Sequence, residues 1–143
     1  MLVKHILREK GREVVTISGD AMLSEAAQLL ARRRIGAVIV RDVEGGVSGI
    51  LSERDIVRAV AMHSVAALGH SVATHMTREV STCGEADAVD ELMETMTHGR
   101  FRHMPVMEDG RLCGIVSIGD VVKTCIAETL REATSLREYI VAG

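Results

Sequence analysis

Aromatic side chains are almost absent from this sequence, whose 143 residues include one Phe, one Tyr and no Trp. The hydrophobic core must therefore consist of Val, Ile, Leu, Ala and Met, and apolar residues make up 47% of the chain. Proteins that bind single-stranded nucleic acid stack the bases on several aromatic rings. The lack of such rings argues against that class of protein.

An excess of positive charge is missing too, since the formal net charge is −3 at pH 7. No general electrostatic field attracts the chain to nucleic acid. The odd number of cysteines and the lack of a C-x-x-C pair are typical of a reducing cytosol; the three are Cys83, Cys113 and Cys125. No apolar run approaches a membrane span, and MLVKHILREKG lacks the apolar core of a signal peptide. The sequence predicts a cytoplasmic protein with neither a nucleic-acid nor a membrane partner.

Motifs of common catalytic sites are missing as well. The chain has no nucleophile elbow, no P-loop and no G-x-G-x-x-G, so we expect no enzyme, no catalytic residue and no catalytic cofactor. Three histidines, His63, His70 and His75, lie close together in the sequence. They have no Cys or carboxylate partner at ligand spacing, and we therefore predict no metal site.

One nine-residue phrase occurs twice, as GILSERDIV from Gly49 and as GIVSIGDVV from Gly114. The offset that superimposes the two glycines also superimposes the Ser and the Asp of each phrase. Further upstream the match continues at an offset one residue longer, and the change falls between matched strands in a stretch rich in Gly and acidic residues. Such a hairpin turn tolerates a change of length. The chain is therefore an internal repeat.

Each repeat predicts the element order β-α-β-β-α. The first helix of each is amphipathic, with apolar residues at i, i+3, i+4 and i+7, namely Leu23, Ala26, Ala27 and Leu30 in one repeat and Val89, Leu92, Met93 and Met96 in the other. The second helix of each starts at the repeated Ser. Neither repeat of about sixty residues would bury its sheet well alone. We therefore predict an α/β fold in which the two units pack about a pseudo-two-fold axis.

The repeat also predicts the organisation of the domains. Residues 1–65 form the first unit with an N-terminal lead-in, 66–79 a linker, and 80–143 the second unit with a C-terminal helical extension. The lead-in VKHIL is similar in pattern to VATHM of the linker. Each unit is therefore expected to be entered by a similar short segment.

The repeated phrase has two interpretations. Ser-x-x-Asp before an apolar helix is a variant of the capping box. A helix N-terminus is also an anion site, where a Ser hydroxyl can donate to phosphate and an Asp can accept from two ribose hydroxyls. The Gly three residues before the Ser would let the chain pass close to a ligand. The two roles do not exclude each other.

The order of the repeated phrases resembles a tandem pair of CBS domains (the cystathionine beta-synthase repeat), called a Bateman module. The phrases that carry this resemblance are VVTI, IGAVIV and GILSERDIV in the first repeat, and VST, RFRHMPV and GIVSIGDVV in the second. The resemblance extends from about Val14 to Ile126 and is strongest to small stand-alone bacterial members. It implies a regulatory module without catalysis that binds AMP, ADP, ATP, NAD(H) or S-adenosylmethionine in clefts between the units. It also implies a homodimer of four CBS units and a regulated protein that the sequence does not identify.

The resemblance further implies which residues bind the ligand. Asp55 and Asp120 would contact the ribose, and Ser52 and Ser117 the phosphate. The remaining implied positions are Glu53, Arg54, Ile118 and Gly119 near the phosphates, and Thr16, Gly36, Ala37, Val38, Thr82, Arg102, His103, Met104 and Pro105 around the base.

Three cationic side chains of the second repeat, Arg100, Arg102 and His103, would be available to a phosphate. The two arginines could equally be a solvated strand edge, and His103 a partly buried structural residue.

Two other functions fit the resemblance. One is a regulatory fragment related to inosine monophosphate dehydrogenase-type enzymes, which carry such a pair as an insert in a catalytic barrel that is absent from this sequence. The other is a structural dimerisation module with empty clefts. The presence of both Ser and Asp in both repeats argues against empty clefts, and nucleotide that co-purifies with the protein would discriminate between these functions.

Overall fold

The structure is a computed structural model that describes residues 1–142. Its α-helices are α1 Val3–Lys10, α2 Leu23–Arg33, α3 Glu53–His63, α4 Val72–His75, α5 Val89–Gly99 and α6 Ile118–Ala142, and Ser64–Gly69 forms a 3-10 helix. Its strands are β1 Thr16–Ser18, β2 Ala37–Arg41, β3 Val47–Ser52, β4 His103–Glu108 and β5 Arg111–Ser117. Among residues 1–142, none of the helices combines the length and the apolar character that a membrane span requires.

The chain divides into two bodies that do not follow the chain order. The first body comprises Glu13–Ser81 and Gly110–Leu112; the second comprises Met1–Arg12, Thr82–Asp109 and the described residues from Cys113 onward. The N-terminal lead-in therefore groups with the second repeat, and the predicted linker 66–79 groups with the first. The boundaries 1–65, 66–79 and 80–143 follow the sequence repeat, whereas the packing exchanges the short segments that precede each repeat.

Burial of apolar side chains explains this exchange. In the second body, Val3 and Leu7 of α1 are buried in the same cluster as Leu92 and Val116. In the first body, residues on either side of α3 form one cluster, in which the segment after α3 supplies Ala67 and Val72; the others include Leu23, Leu30, Val38 and Leu51. Removing this apolar surface from water stabilises each body.

The first body contains the predicted β-α-β-β-α order in full. Its sheet has the strand order β1-β2-β3, with β1 parallel to β2 and β2 antiparallel to β3. The central strand β2 is buried over Ala37–Val40. The β2–β3 turn is the predicted hairpin, in which the Asp42 carboxylate accepts from the backbone amides of Glu44 at 2.9 Å and Gly46 at 2.8 Å. Gly45 adopts a φ of 85°, which few residues other than glycine take readily.

The second body departs from the prediction at its first strand. Here β4 and β5 form a two-stranded sheet, and the expected strand at VSTC is reduced to one parallel bridge between Cys83 and Val106. The chain turns away immediately afterwards, because the Gly84 amide donates to the Asp87 carboxylate at 2.8 Å. The β-α-β-β-α order is thus confirmed, with this strand shortened by a local turn.

The last helix, α6, is continuous over 25 residues. It includes both the predicted second helix of the repeat and the predicted C-terminal extension. Its first turns contribute buried Val121 to the core, whereas its later apolar residues are exposed, namely Ile126, Leu130, Leu136, Tyr139, Ile140 and Val141.

Candidate functional site

The first repeated phrase forms a capping box at the start of α3. Ser52, the last residue of β3, is extended, and its hydroxyl oxygen accepts from the Asp55 amide at 3.3 Å. In return, Asp55 Oδ2 accepts from the Ser52 amide at 2.9 Å. Two of the amides that a helix N-terminus leaves without a backbone partner are thereby satisfied.

The second phrase repeats this arrangement at the start of α6. The Asp120 amide donates to Ser117 Oγ at 3.1 Å, and the Ser117 amide donates to Asp120 Oδ2 at 2.9 Å. The capping interpretation is therefore confirmed for both repeats. In each of them the Ser hydroxyl and the Asp carboxylate lie side by side at a helix N-terminus, where the helix dipole favours negative charge.

A backbone hydrogen bond also links the start of each helix to the residue before the first strand of the hairpin that precedes it. The Glu53 amide donates to the carbonyl oxygen of Gly36 at 3.0 Å, and the Ile118 amide donates to that of Arg102 at 2.7 Å. This matched pair brings the start of β2 to the first phrase and the start of β4 to the second. The predicted base-binding positions of each repeat therefore lie beside the predicted phosphate-binding positions.

Asp55 has a second partner that the sequence did not indicate. Its side chain is buried, with 8% exposed, and Thr77 Oγ1 donates to it at 3.2 Å from Oδ1 and 3.4 Å from Oδ2. Two backbone hydrogen bonds between Thr77 and Ile50 fix this threonine beside β3. Thr77 lies in the segment predicted to be a linker, immediately after VATHM.

Gly49 makes this approach possible. A Cβ atom at Gly49 would lie 2.6 Å from the Thr77 carbonyl oxygen and 2.9 Å from Met76 Sδ. The sequence had suggested that this glycine admits a ligand, but in the structure the backbone of the same body occupies the space. The reason is that Thr77 pairs with the neighbouring residue Ile50.

Asp120 has a different partner, the ammonium group of Lys10 at the end of α1. Lys10 Nζ lies 2.6 Å from Asp120 Oδ2 and donates to the Ile115 carbonyl oxygen at 3.0 Å. Burial by itself would raise the pKa of the Asp120 carboxyl. The hydrogen bonds from Lys10 and the Ser117 amide, with the Lys10 charge, outweigh burial and lower that pKa below its ordinary value.

The two acidic residues of the repeat thus differ in charge environment. Asp55 accepts from a neutral hydroxyl, whereas Asp120 forms an ion pair with a flexible cation. Sequence reasoning missed both partners because each lies in the short segment that precedes the other repeat. The similarity of VKHIL to VATHM was the one signal that these segments have related places in the fold.

The other predicted residues of the first repeat lie near its phrase or beside it in the sheet. Thr16 starts β1 and pairs with Ile39, while Ala37 and Val38 are buried in β2. Glu53 and Arg54 are exposed in the first turn of α3.

In the second repeat the two arginines lie just before β4. Arg100 ends α5 in the left-handed conformation, with a φ of 57°, and exposed Arg102 precedes β4. Both precede His103, the first residue of β4, so a role as solvated residues beside this strand and a role in phosphate binding both stay predictions. Thr82 is exposed next to Cys83. The remaining positions are His103, half-buried at the start of β4, Met104 and Pro105, buried in β4, and Ile118 and Gly119 in the first turn of α6.

Comparisons with known proteins identify chains of similar sequence and fold. A family model described as "CBS domain" matches residues 3–62 and again residues 71–127. The crystal structure of the CBS-domain-containing protein ATU1752 from Agrobacterium tumefaciens is 53% identical, with a TM-score of 0.84 over 85% of this chain and 91% of that one.

Two other similar structures contain adenosine derivatives. The CBS domain pair of protein MJ0100, in complex with 5'-methylthioadenosine and S-adenosyl-L-methionine, is 28% identical, with a TM-score of 0.79 over 90% of this chain and 98% of that one. CBS domain protein PAE2072 from Pyrobaculum aerophilum, complexed with AMP, is 28% identical, with a TM-score of 0.74 over 84% of this chain and 89% of that one. With two matches of the family model that together span most of the sequence, the chain belongs to the CBS-domain family and carries a tandem pair of these domains.

Proposed function

We propose that this chain is a regulatory sensor that binds an adenosine-containing ligand and has no catalytic activity of its own. The observation that carries the proposal is the convergence, in each repeat, of a helix N-terminus, a Ser hydroxyl and an Asp carboxylate. The similar proteins crystallised with AMP, or with S-adenosyl-L-methionine and 5'-methylthioadenosine, support it. Adenosine is the part that these ligands share. ADP, ATP and NAD(H) contain it as well and are further candidates.

Each part of the ligand has a counterpart among the motif residues. A phosphate would accept from the amides of the first turn of α3 or α6 and from Ser52 or Ser117. A ribose would donate its two hydroxyls to Asp55 or Asp120. A carboxylate has about four lone-pair sites, so Asp55 can keep the Ser52 amide while a ribose hydroxyl joins or replaces Thr77.

The charge difference between the repeats suggests different preferences. Lys10 lies at the N-terminus of α6 and could turn from Asp120 to a phosphate oxygen. The corresponding neighbour in the first repeat is the neutral Thr77. We therefore propose that the α6 motif prefers a phosphorylated ligand such as AMP, ADP or ATP. The α3 motif would also accept a nucleoside without phosphate.

We further propose that the protein acts in the cytoplasm as a homodimer of four CBS units. Exposed apolar residues on α3 and α6 provide suitable surface, among them Val57, Val60, Ile126 and Leu130. Ligand binding would favour one packing of the subunits over another, and a regulated partner protein would respond to that difference.

Mass spectrometry of small molecules released from the purified protein tests the proposal. Calorimetric titrations with AMP, ADP, ATP, NAD+, NADH and S-adenosylmethionine would follow, with inorganic pyrophosphate as the control for simple anion binding. We expect an adenosine derivative to be released or to bind. If none binds more tightly than pyrophosphate, the sensor function is wrong and a structural module is the better interpretation.

A further inference from the structure

Three imidazole side chains meet at one place in the first body. His63 ends α3, His70 follows the 3-10 helix and His75 ends α4. One ring nitrogen from each lies within 4.8 Å of the others, and His70 Nδ1 is 2.9 Å from His75 Nε2. The sequence predicted no metal site because these histidines lack Cys or carboxylate partners at ligand spacing, but the tertiary structure brings them together.

The backbone at this cluster is fixed by contacts on both sides. The His70 amide donates to the Ala67 carbonyl oxygen at 3.0 Å, and the His70 carbonyl oxygen accepts from the Leu23 amide at 2.8 Å. Val72, which begins the helical turn that ends at His75, is fully buried. His70 and His75 therefore sit on anchored backbone, while the His63 side chain is exposed.

Imidazole packing alone explains only part of this arrangement. His70 and His75 stack at an interplanar angle of 12°, but their nitrogens can share only one proton. His63 adds a third ring, with centroid distances of 5.0 Å to His70 and 5.6 Å to His75. If protonated, rings at this separation would repel one another. As a neutral imidazole, each ring has one unprotonated nitrogen with a lone pair, which is the atom that can bind a metal ion.

The surroundings favour the neutral form of one of these rings, His75. Burial, followed by the neighbouring His70 and His63, lowers the pKa of His75 below its ordinary value of 6.5, and the Asp55 carboxylate opposes this to a smaller extent. A neutral imidazole is the form that binds metal, so this direction agrees with the geometry of the cluster.

The distances suit a transition metal ion. Two nitrogens that each lie about 2.0–2.1 Å from a zinc ion are roughly 3.3 Å apart at the tetrahedral angle. The pair His70 and His75 is within a few tenths of an ångström of that value. Rotation of the exposed His63 side chain would bring the third nitrogen inward. Imidazole suits Zn²⁺, Cu²⁺ and Ni²⁺, whereas Mg²⁺ and Ca²⁺ prefer oxygen ligands.

We propose that His63, His70 and His75 bind one divalent transition metal ion of the zinc class. Three protein ligands leave a coordination position for water or an external ligand, as in open zinc sites. The metal would join the end of α3 to the segment that contains α4. Thr77, the partner of Asp55, lies two residues beyond His75, so metal binding would also restrain the segment that contacts Asp55.

Metal titration of the full chain tests this inference. The protein is prepared without a polyhistidine tag, stripped with a chelator and titrated with Zn²⁺ and Co²⁺ by calorimetry, with equilibrium dialysis to count the bound metal. We expect one ion per chain. His70→Gln and His75→Gln should each weaken binding by at least about tenfold, because three ligands become two. His98→Gln is the matched control, since His98 is an exposed histidine on α5 of the other body.

A third variant keeps the test decisive if His70→Gln or His75→Gln alters the fold. His63 is exposed, so His63→Gln should leave the melting temperature of the metal-free protein unchanged and still weaken metal binding. Co²⁺ absorption provides a separate readout of ligand type. Unchanged affinity in all three variants, no binding of either metal, or a thiolate charge-transfer band would each overturn the proposal.

Discussion

Lys10 and Asp120 are 110 positions apart in the sequence, and Lys10 Nζ lies 2.6 Å from Asp120 Oδ2. The first helix of the chain therefore supplies a cation to the last helix, beside the second copy of the repeated phrase. In the first repeat, Thr77 contacts Asp55 in a related way. Each repeated Asp thus has a partner from the segment that precedes the other repeat.

Replacing Lys10 by Met should separate the two roles of this lysine. The ion pair is partly exposed, so its loss should cost no more than about 1 kcal/mol of unfolding free energy. If Lys10 turns to the phosphate when AMP binds, Lys10→Met should also bind AMP clearly more weakly than the parent protein does. Urea unfolding and calorimetric titration measure the two effects, and Lys123→Met, an exposed lysine elsewhere on α6, is the control. Equal AMP affinity in both variants would contradict the phosphate role.

The pH dependence of stability should reveal the lowered pKa of Asp120. A carboxyl with a lower pKa in the folded state stabilises the protein above its unfolded pKa, near 3.8. That contribution disappears as pH falls through the folded value. Melting temperatures from about pH 3 to 7 should therefore fall less steeply with acid in Asp120→Asn than in the parent. Parallel curves for the two proteins would show that Asp120 does not contribute.

The two phrase glycines should differ in their tolerance of a methyl group. In Gly49→Ala the new Cβ meets the Thr77 carbonyl oxygen at 2.6 Å, which is backbone and cannot easily move. In Gly114→Ala it meets the end of the Leu7 side chain at 2.7 Å, which can rotate. We expect Gly49→Ala to cost about 1–3 kcal/mol of unfolding free energy and Gly114→Ala less.

Urea unfolding measures these costs. Gly69→Ala serves as the control, because a Cβ at Gly69 has no neighbour within 4 Å among the described residues. A smaller loss of stability in Gly49→Ala than in Gly114→Ala would show that the Thr77 backbone does not restrict the space at Gly49.

Exchange of each phrase Asp for Asn distinguishes a helix cap from a ribose ligand. Asn also caps helices well, so Asp120→Asn should largely retain the fold. If the carboxylate accepts from ribose hydroxyls, affinity for AMP should fall by about 10–100-fold, because a hydrogen bond to a charged group is worth roughly 1.5–3 kcal/mol. Calorimetric titration of Asp55→Asn and Asp120→Asn measures this separately for each repeat.

The melting temperature of each Asn variant without ligand is the control that shows whether its fold is retained. Saturation of the parent protein at about a hundred times the dissociation constant should stabilise it by roughly 2.7 kcal/mol, which corresponds to about 5–10 °C. If both Asn variants bind AMP as tightly as the parent and show the same rise in melting temperature with ligand, the two aspartates act only as helix caps. A loss of AMP affinity in only one variant would identify the repeat that binds the ligand.

The oligomeric state tests the role of the exposed apolar residues. We expect light scattering to give the mass of a dimer at micromolar concentration, with and without ligand. Val57→Glu and Leu130→Glu place a charge on surfaces that are exposed in the single chain, so they should shift the equilibrium to monomer without unfolding it. A monomeric parent protein would exclude the proposed homodimer.

The local structure of this protein follows from its sequence. Helical apolar spacing predicted α2 and α5, the Ser-x-x-Asp phrase predicted the starts of α3 and α6, and the Gly-rich acidic stretch predicted the β2–β3 hairpin. All of these depend on residues within a few positions of one another. Helix caps, turns and amphipathic faces are short-range interactions, so a sequence pattern is sufficient to indicate them.

Only the tertiary structure decided which segments complete each repeat. Burial of Val3 and Leu7 against the second repeat, and of Val72 against the first, depends on apolar surface that is assembled from distant parts of the chain. The partners of Asp55 and Asp120 and the three-histidine cluster arise in the same way. No local spacing encodes these contacts, because they exist only after the hydrophobic core of each body has brought its short segment against its repeat.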